Sequence, residues 1–270
     1  MRRALNKYLL YEASVTDPKD DVKLFNRFYR LAFLKDAHLY REDFCGTFAH
    51  SVEWIKLHPQ NKSYSLDLSK EPLNYGIKNH LIRLSQEEKK RLSIRRQNVL
   101  HARTPKVDLI TSMNFSYSCL KTKAELKKYF QNAFRSLHKK GMLLIDVMGG
   151  SEVQAPNIER TKISLGRGKP KFTYIWEQKN FDAINHEARF AIHFQMADSK
   201  RKLKNVFTYD WRLWSLPELQ DLMKEVGFDD VHIYWEGTRR NSEEGNGVFT
   251  RKKSVADCEV WIAYIAGIKA

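Results

Sequence analysis

The feature that most limits what this chain can fold into is an alternation of strand-like and helix-like segments from about residue 38 to residue 148. Strand-like segments recur at 38–43, 63–68, 93–100, 107–113 and 142–148. Helical spacing fills most of the gaps, most clearly from Lys123 to Leu137, with Gly141 placed where a glycine commonly ends a helix. Two parallel strands can be joined only by a crossover, so this alternation predicts a doubly wound, mostly parallel sheet with helices on both faces. Upstream, apolar positions at helical spacing over 20–34 predict another helix, started by Asp17-Pro18.

After Gly149-Gly150 the rhythm changes. Segments 172–177, 188–196 and 205–211 read as strands joined by short polar stretches at 182–186 and 198–204, an antiparallel meander with no helices. The α/β rhythm then returns, with a helix from Leu216-Pro217 to Val226, Gly227 ending it, and strands at 231–235 and 258–266. The meander is therefore an insertion. The expected layout is one domain over 1–270: a helical arm or lid at 1–36, a ligand-binding half at 37–150, an inserted β lid at 160–212, and a helix and β hairpin at 213–270 that complete a seven-stranded sheet.

No window approaches the roughly 20 apolar residues of a membrane span. The basic start, Met1-Arg2-Arg3-Ala4-Leu5-Asn6-Lys7, lacks a signal-like apolar core, so a cytoplasmic protein is expected. Cys45, Cys119 and Cys258 are scattered and have no zinc-like spacing, so no metal is expected. The formal charge of +15 concentrates at Lys89-Lys90-Arg91, Arg95-Arg96, Lys200-Arg201-Lys202 and Arg251-Lys252-Lys253. A polyanionic partner is one reading of that surplus. The clusters are short, dispersed and not interleaved with aromatics, so a solvated basic surface is favoured over a nucleic-acid groove.

In an open α/β sheet, ligands bind outside the carboxyl ends of the strands. The first strand runs into Arg41-Glu42-Asp43-Phe44-Cys45-Gly46-Thr47-Phe48, a strand–glycine–helix turn. It has neither GxGxxG nor GxxxxGK[ST], which weakens any case for a pyrophosphate or triphosphate. Asp67 ends the next strand about twenty residues on, where a carboxylate can accept bonds from two ribose hydroxyls. Asn98-Val99 at the third strand is placed to meet an adenine, and Met113-Asn114-Phe115-Ser116-Tyr117 follows the fourth. A nucleoside site without phosphate-binding groups suits S-adenosylmethionine (SAM), with an aromatic wall favouring its sulfonium.

At these residues the chain resembles the class I SAM-dependent methyltransferases, nearest an uncharacterised bacterial group sharing Asp43-Phe44-Cys45-Gly46-Thr47, Asn114-Phe115-Ser116-Tyr117 and Tyr234-Trp235-Glu236-Gly237-Thr238. The resemblance takes in about two-thirds of the chain and implies a Rossmann-like methyltransferase fold. It departs where Phe44 and Phe48 stand in place of the usual glycines, and where Asn98 stands for a common acidic residue. The implied cofactor set is Glu42, Phe44, Cys45, Gly46, Thr47, Asp67, Leu68, Asn98, Val99, Asn114, Phe115 and Ser116. Glu42 or Asp43 would orient the methionine amino group, with register favouring Glu42.

Transfer of a methyl group from a sulfonium needs in-line alignment and a dry site more than a strong base. The insertion leaves the sheet after the fifth strand and is rich in aromatics. Tyr11, Tyr117, Trp176, Trp211, Arg212 and Trp235 are the expected acceptor-binding residues, and His193 and Tyr209 the candidates for proton handling. His193 alternates with apolar neighbours, a pattern that suits an ordinary satisfied histidine. The sequence reads as a methyltransferase, monomeric or homodimeric, acting on nitrogen or oxygen of a small molecule. RNA or protein methylation using the basic surface, and a non-catalytic SAM-binding module, are the alternatives.

Overall fold

The computed structural model describes residues 6–166, 170–197, 202–239, 245–256 and 258–270. The basic pair Lys200-Arg201, most of the polar stretch 198–204 and the first five residues therefore lie outside the described residues.

Helices α1 (Lys7–Val15) and α2 (Pro18–Phe33) precede the first strand. The Asp17 side chain accepts the Asp20 N–H and Pro18 occupies the first turn, the start expected from the sequence. The alternating series follows: β1 (Leu39–Asp43), α3 (Ala49–Leu57), β2 (Lys62–Asp67), α4 (Lys70–Asn79), α5 (Gln86–Lys90), β3 (Leu92–Arg96), β4 (Val107–Ser112), α6 (Lys123–Ser136) and β5 (Leu137–Gly149). Then come β6 (Asn157–Ser164), β7 (Lys171–Asp182), β8 (Glu187–Met196), β9 (Lys202–Arg212), α7 (Leu216–Val226), β10 (Asp230–Thr238), β11 (Gly245–Arg251) and β12 (Trp261–Lys269).

The main sheet runs β11-β10-β12-β5-β4-β1-β2-β3. β1 to β5 are mutually parallel, and β12 is antiparallel to both its neighbours. The chain moves outward from β1 to β3 and then crosses back to β4, so the order reverses between β1 and β4. The carboxyl ends beside that reversal are where a ligand crevice forms. Alternation along β5 builds both faces: Leu143 and Ile145 meet α6 and α7, while Met142 and Leu144 meet α2 and Trp54 of α3. Each such fully buried side chain contributes about 1.5–3 kcal/mol.

The sheet has eight strands where seven were expected. The extra one, β11, pairs antiparallel with the outer edge of β10 and is mostly exposed, so it carries no apolar alternation to betray it. The expected three-stranded meander is likewise four-stranded, in the order β6-β7-β8-β9, because the polar edge strand β6 is exposed along nearly its whole length. Gly141 does not end a helix; α6 stops at Ser136 and Gly141 lies inside β5, next to Lys140 at φ 58°. Among the described residues no helix is long and apolar enough to cross a membrane.

Candidate active site

The turn after β1 keeps the backbone that a glycine-rich loop would have, without the glycines. Phe44, Gly46 and Phe48 all have φ between 52° and 54°, and for the two phenylalanines this left-handed backbone costs about 1 kcal/mol each or more. Packing compensates. Phe48 is fully buried against Val52, Ile55 and Leu73, and the Phe44 ring meets Tyr129 edge-on with centroids 5.7 Å apart. The two rings that depart from the common motif thus pack into the cores beneath the turn.

Asp67 ties this turn to β2. One oxygen accepts the Gly46 N–H at 2.7 Å and the other the Ser69 N–H at 2.7 Å. Burial raises its pKa, and these backbone bonds counter that rise. Of the two acidic residues ending β1, Glu42 is fully engaged: Oε1 bonds His50 at 3.1 Å, and Oε2 accepts the Ser51 N–H at 2.8 Å and its hydroxyl at 2.5 Å. Asp43 is different. Its Oδ2 accepts from Arg41 at 2.8 Å and from the Tyr129 hydroxyl at 3.1 Å, while Oδ1 is buried with no hydrogen-bond partner. Helix α1 closes this region from above, where Glu12 accepts from the Thr47 hydroxyl and bonds His80 at 2.7 Å.

Two cavities open along the carboxyl edge, of about 380 and 370 Å3. The first, here the cofactor lobe, is lined by Glu42 to Thr47, Asp67, Ser69 and Pro72, with Tyr8, Tyr11, Glu12 and Thr16 of the arm above. The second lies under the inserted sheet and is walled by Tyr174, Trp176, Tyr209 and Trp211, with Trp261 and Tyr264 of β12 opposite. Tyr11, His50, Met113, Asn114, Tyr209 and Trp211 line both, so the lobes adjoin at the turn after β4. That turn also holds left-handed backbone, at Asn114 (φ 58°) and Phe115 (φ 54°). Their N–H groups donate to the two oxygens of Asp146 at 2.7 and 2.9 Å.

Two titratable groups at the junction are strongly shifted. Burial alone would lower the His50 pKa, but its bonds to Asp21 (3.0 Å) and Glu42 outweigh burial and push it up to about 10. His50 is thus a buried cation at neutral pH. Burial pushes Asp146 up to about 7, against the lowering effect of its two backbone donors.

The structure brings most of the expected cofactor residues to one place. Glu42, Phe44, Cys45, Gly46, Thr47, Asp67, Asn114 and Ser116 line the cofactor lobe, and Phe115 lines the acceptor lobe. Leu68 is exposed beside it and lines neither. Asn98 and Val99 are not among the lining residues either. β3 ends at Arg96, earlier than expected, so the Asn98 side chain caps a short 3-10 turn by accepting the Leu100 N–H, and Val99 is core.

The acceptor expectations divide in the same way. Tyr11, Trp176, Tyr209 and Trp211 wall the lobe; Tyr117, Arg212, Trp235 and His193 do not. Tyr117 is core. The Arg212 guanidinium lies over Trp214 at 3.8 Å and bonds Glu218 at 2.9 Å, fastening the insertion to α7. Trp235 stands behind Trp261, ring centroids 4.8 Å apart. His193 alternates out of register with Ile192 and Phe194 along β8. It bonds Glu177 at 2.9 Å and accepts the Asn205 N–H at 2.8 Å, a satisfied histidine away from the cleft. Tyr209 does reach the cleft, and burial raises its hydroxyl far above the ordinary phenol range, which keeps it neutral near neutral pH.

Sequence reasoning missed Asp21, His50 and Asp146. Asp146 had a signal, a charged residue ending the otherwise apolar run Met142-Leu143-Leu144-Ile145-Asp146. Asp21 and His50 had none, because their meeting depends on how α2 crosses α3. The basic clusters prove partly structural: one Arg91 nitrogen bonds the carbonyls of Ile55, His58 and Asn61, and Arg96 bonds that of Leu68.

No family model and no curated protein matches the sequence. Solved structures do match the fold. DesVI of Streptomyces venezuelae superposes with a TM-score of 0.71 at 17% identity, over 97% of this chain and 96% of that one. SAM-bound CalS10, an amino pentose methyltransferase from Micromonospora echinaspora, gives 0.70 at 13% identity, over 100% and 99%. KedS8, a sugar N-methyltransferase from a Streptoalloteichus species, gives 0.66 at 15% identity, over 100% and 95%. This chain therefore has the Rossmann-like fold of SAM-dependent methyltransferases.

Proposed function

We propose that this protein is an enzyme that transfers the methyl group of SAM to a small-molecule acceptor. The observation that carries this reading is the adjoining pair of lobes. One holds the features a nucleoside needs, the other is aromatic and roomy, and they share the turn after β4. Asp67 is the ribose carboxylate, and the turn from Phe44 to Thr47 supports the methionine part.

Asn114, Phe115 and Ser116 lie where the sulfonium would meet the acceptor. There the acceptor lone pair attacks the methyl carbon in line, the carbon–sulfur bond breaks, and its electrons remain on sulfur as S-adenosylhomocysteine leaves. Alignment between Tyr11, Trp176, Tyr209 and Trp211 is the protein's contribution. The likeness to CalS10, an amino pentose methyltransferase, and KedS8, a sugar N-methyltransferase, favours nitrogen over oxygen as the attacked atom. An RNA or protein substrate draws no support from the cleft, whose lining includes no Lys or Arg among the described residues.

Titration of the folded protein with SAM tests the reading. Saturable binding is expected, and Asp67→Ala should weaken it about a hundredfold, as expected when a half-buried carboxylate with two charge-assisted bonds is lost. Unchanged affinity in that variant would refute the site.

A further inference from the structure

The acceptor lobe is acidic in a basic protein. Lys and Arg outnumber Asp and Glu by 47 to 32 in the chain, yet the residues lining this lobe include four carboxylates, Asp21, Asp146, Glu152 and Glu159, and no Lys or Arg among those described. The one cation there, His50, is already paired with Asp21 and Glu42. The carboxylates are graded in depth: Asp146 is buried at the floor, Asp21 is partly covered, and Glu152 and Glu159 are exposed at the rim. Among the described residues neither rim glutamate has an ion-pair partner. Trp176, Trp211 and Trp261 line the same lobe.

This arrangement discriminates by charge. An ammonium group is attracted by the carboxylates of this lobe and by the electron-rich indoles that line it. A phosphate or carboxylate meets the same groups with the opposite sign and has no donor cation to pair with. Asp146 is the carboxylate best placed to receive the ammonium. Its two oxygens are fixed by Asn114 and Phe115, and each carboxylate oxygen keeps a further lone pair. It also adjoins Asn114, which lines both lobes.

We infer that the acceptor is a small amine, bound as its ammonium ion against Asp146 and bearing no phosphate or carboxylate within the lobe. This rests on the proposed methyl transfer and narrows its substrate class. An ammonium has no lone pair, so it first gives one proton to the Asp146 carboxylate. The neutral amine so formed attacks the methyl carbon as the carbon–sulfur bond breaks. Because Asp146 titrates near neutrality, its hold on an ammonium depends on pH. The other titratable groups facing it are His50 of α3, Tyr11 of α1, Tyr117 after β4 and Tyr264 of β12. His50 stays charged, and the three tyrosines stay neutral, through that range.

Three probes of one shape read the selection directly: benzylamine, benzyl alcohol and benzoate, titrated into full-length protein saturated with S-adenosylhomocysteine. Benzylamine is expected to bind at least tenfold tighter than benzoate at pH 7, with benzyl alcohol between them. Its affinity should rise several-fold from pH 5.5 to pH 8 in the wild type and stay flat in Asp146→Asn. Glu152→Gln at the exposed rim, which leaves the fold intact, should shrink the amine's advantage about twofold. Benzoate binding as tightly as benzylamine would overturn the inference. So would failure of all three probes with S-adenosylhomocysteine seated, or an unchanged pH dependence in Asp146→Asn. Failure of S-adenosylhomocysteine itself to bind would instead strike the proposed function, and this inference with it.

Discussion

The two lobes meet at one turn but are built on opposite plans. In the cofactor lobe almost every polar side chain is engaged by nearby protein: Asp67 by Gly46 and Ser69, Glu42 by His50 and Ser51, Glu12 by Thr47 and His80. Its shape is set before any ligand arrives. The acceptor lobe has such bonds at Asp146, at the Asp21–His50 pair and at Gln178, but its walls are not made by them. Its walls are rings brought from α1, β7, β9 and β12 that pack against one another at tilted angles, as Trp176 does against Trp211 at 6.1 Å and Tyr209 against Trp211 at 4.4 Å. The difference teaches how such a fold divides its labour. A constant ligand is met by backbone and short polar side chains fixed by hydrogen bonds, whereas a particular acceptor is met by exchangeable aromatic surface and by charge.

Three substitutions would break or sharpen this contrast. The largest effect is expected at His50, the buried cation that joins the arm to the cofactor lobe. His50→Ala leaves Asp21 and Glu42 without their partner and should cost about 3 kcal/mol of unfolding free energy, measured by denaturant titration. The sign of its pH dependence follows from a folded pKa near 10 against an ordinary 6.5. Its stabilisation is complete below about 6.5 and is lost as pH rises through about 10, so the gap between wild type and variant should close on the alkaline side. A constant gap would mean that His50 is not held as a cation.

An intermediate effect is expected at Trp176, which lines only the acceptor lobe. Trp176→Ala should weaken acceptor or benzylamine binding about tenfold, the worth of one aromatic wall, with SAM affinity changed by less than about twofold. Equal losses for both ligands would show the lobes to be one site without division. The smallest effect is expected at His193. His193→Gln should alter turnover by less than about twofold and stability by about 1 kcal/mol. A tenfold loss of turnover would place it in the chemistry despite its bonds to Glu177 and Asn205.

The parallel half was readable because its constraints are local. Crossovers between β1 and β5 follow from periodicity, and Asp67 was legible because a strand end fixes where its side chain emerges. Even the two phenylalanines that depart from the glycine pattern were visible, although their left-handed backbone and their burial beneath the turn were not. The edge strands β6 and β11 escaped notice because an edge strand exposed on both faces has no alternation to reveal it. Asn98 was misplaced for a similar reason, whereas the alternation around His193 already suited the satisfied histidine that β8 holds. A one- or two-residue shift in where β3 ends moves a group from cleft to cap.

By itself the sequence determined the crossovers, the place of the insertion, and the strand end at which a carboxylate meets the first turn, because each depends on residues near in the chain. Only the tertiary structure decided that His50 is held between Asp21 and Glu42, that Asp43 keeps a free oxygen, and that Asp146 lies on the floor of an acidic, aromatic lobe. Those facts depend on burial and on the angles at which distant elements cross, and no pattern along a single chain encodes them legibly.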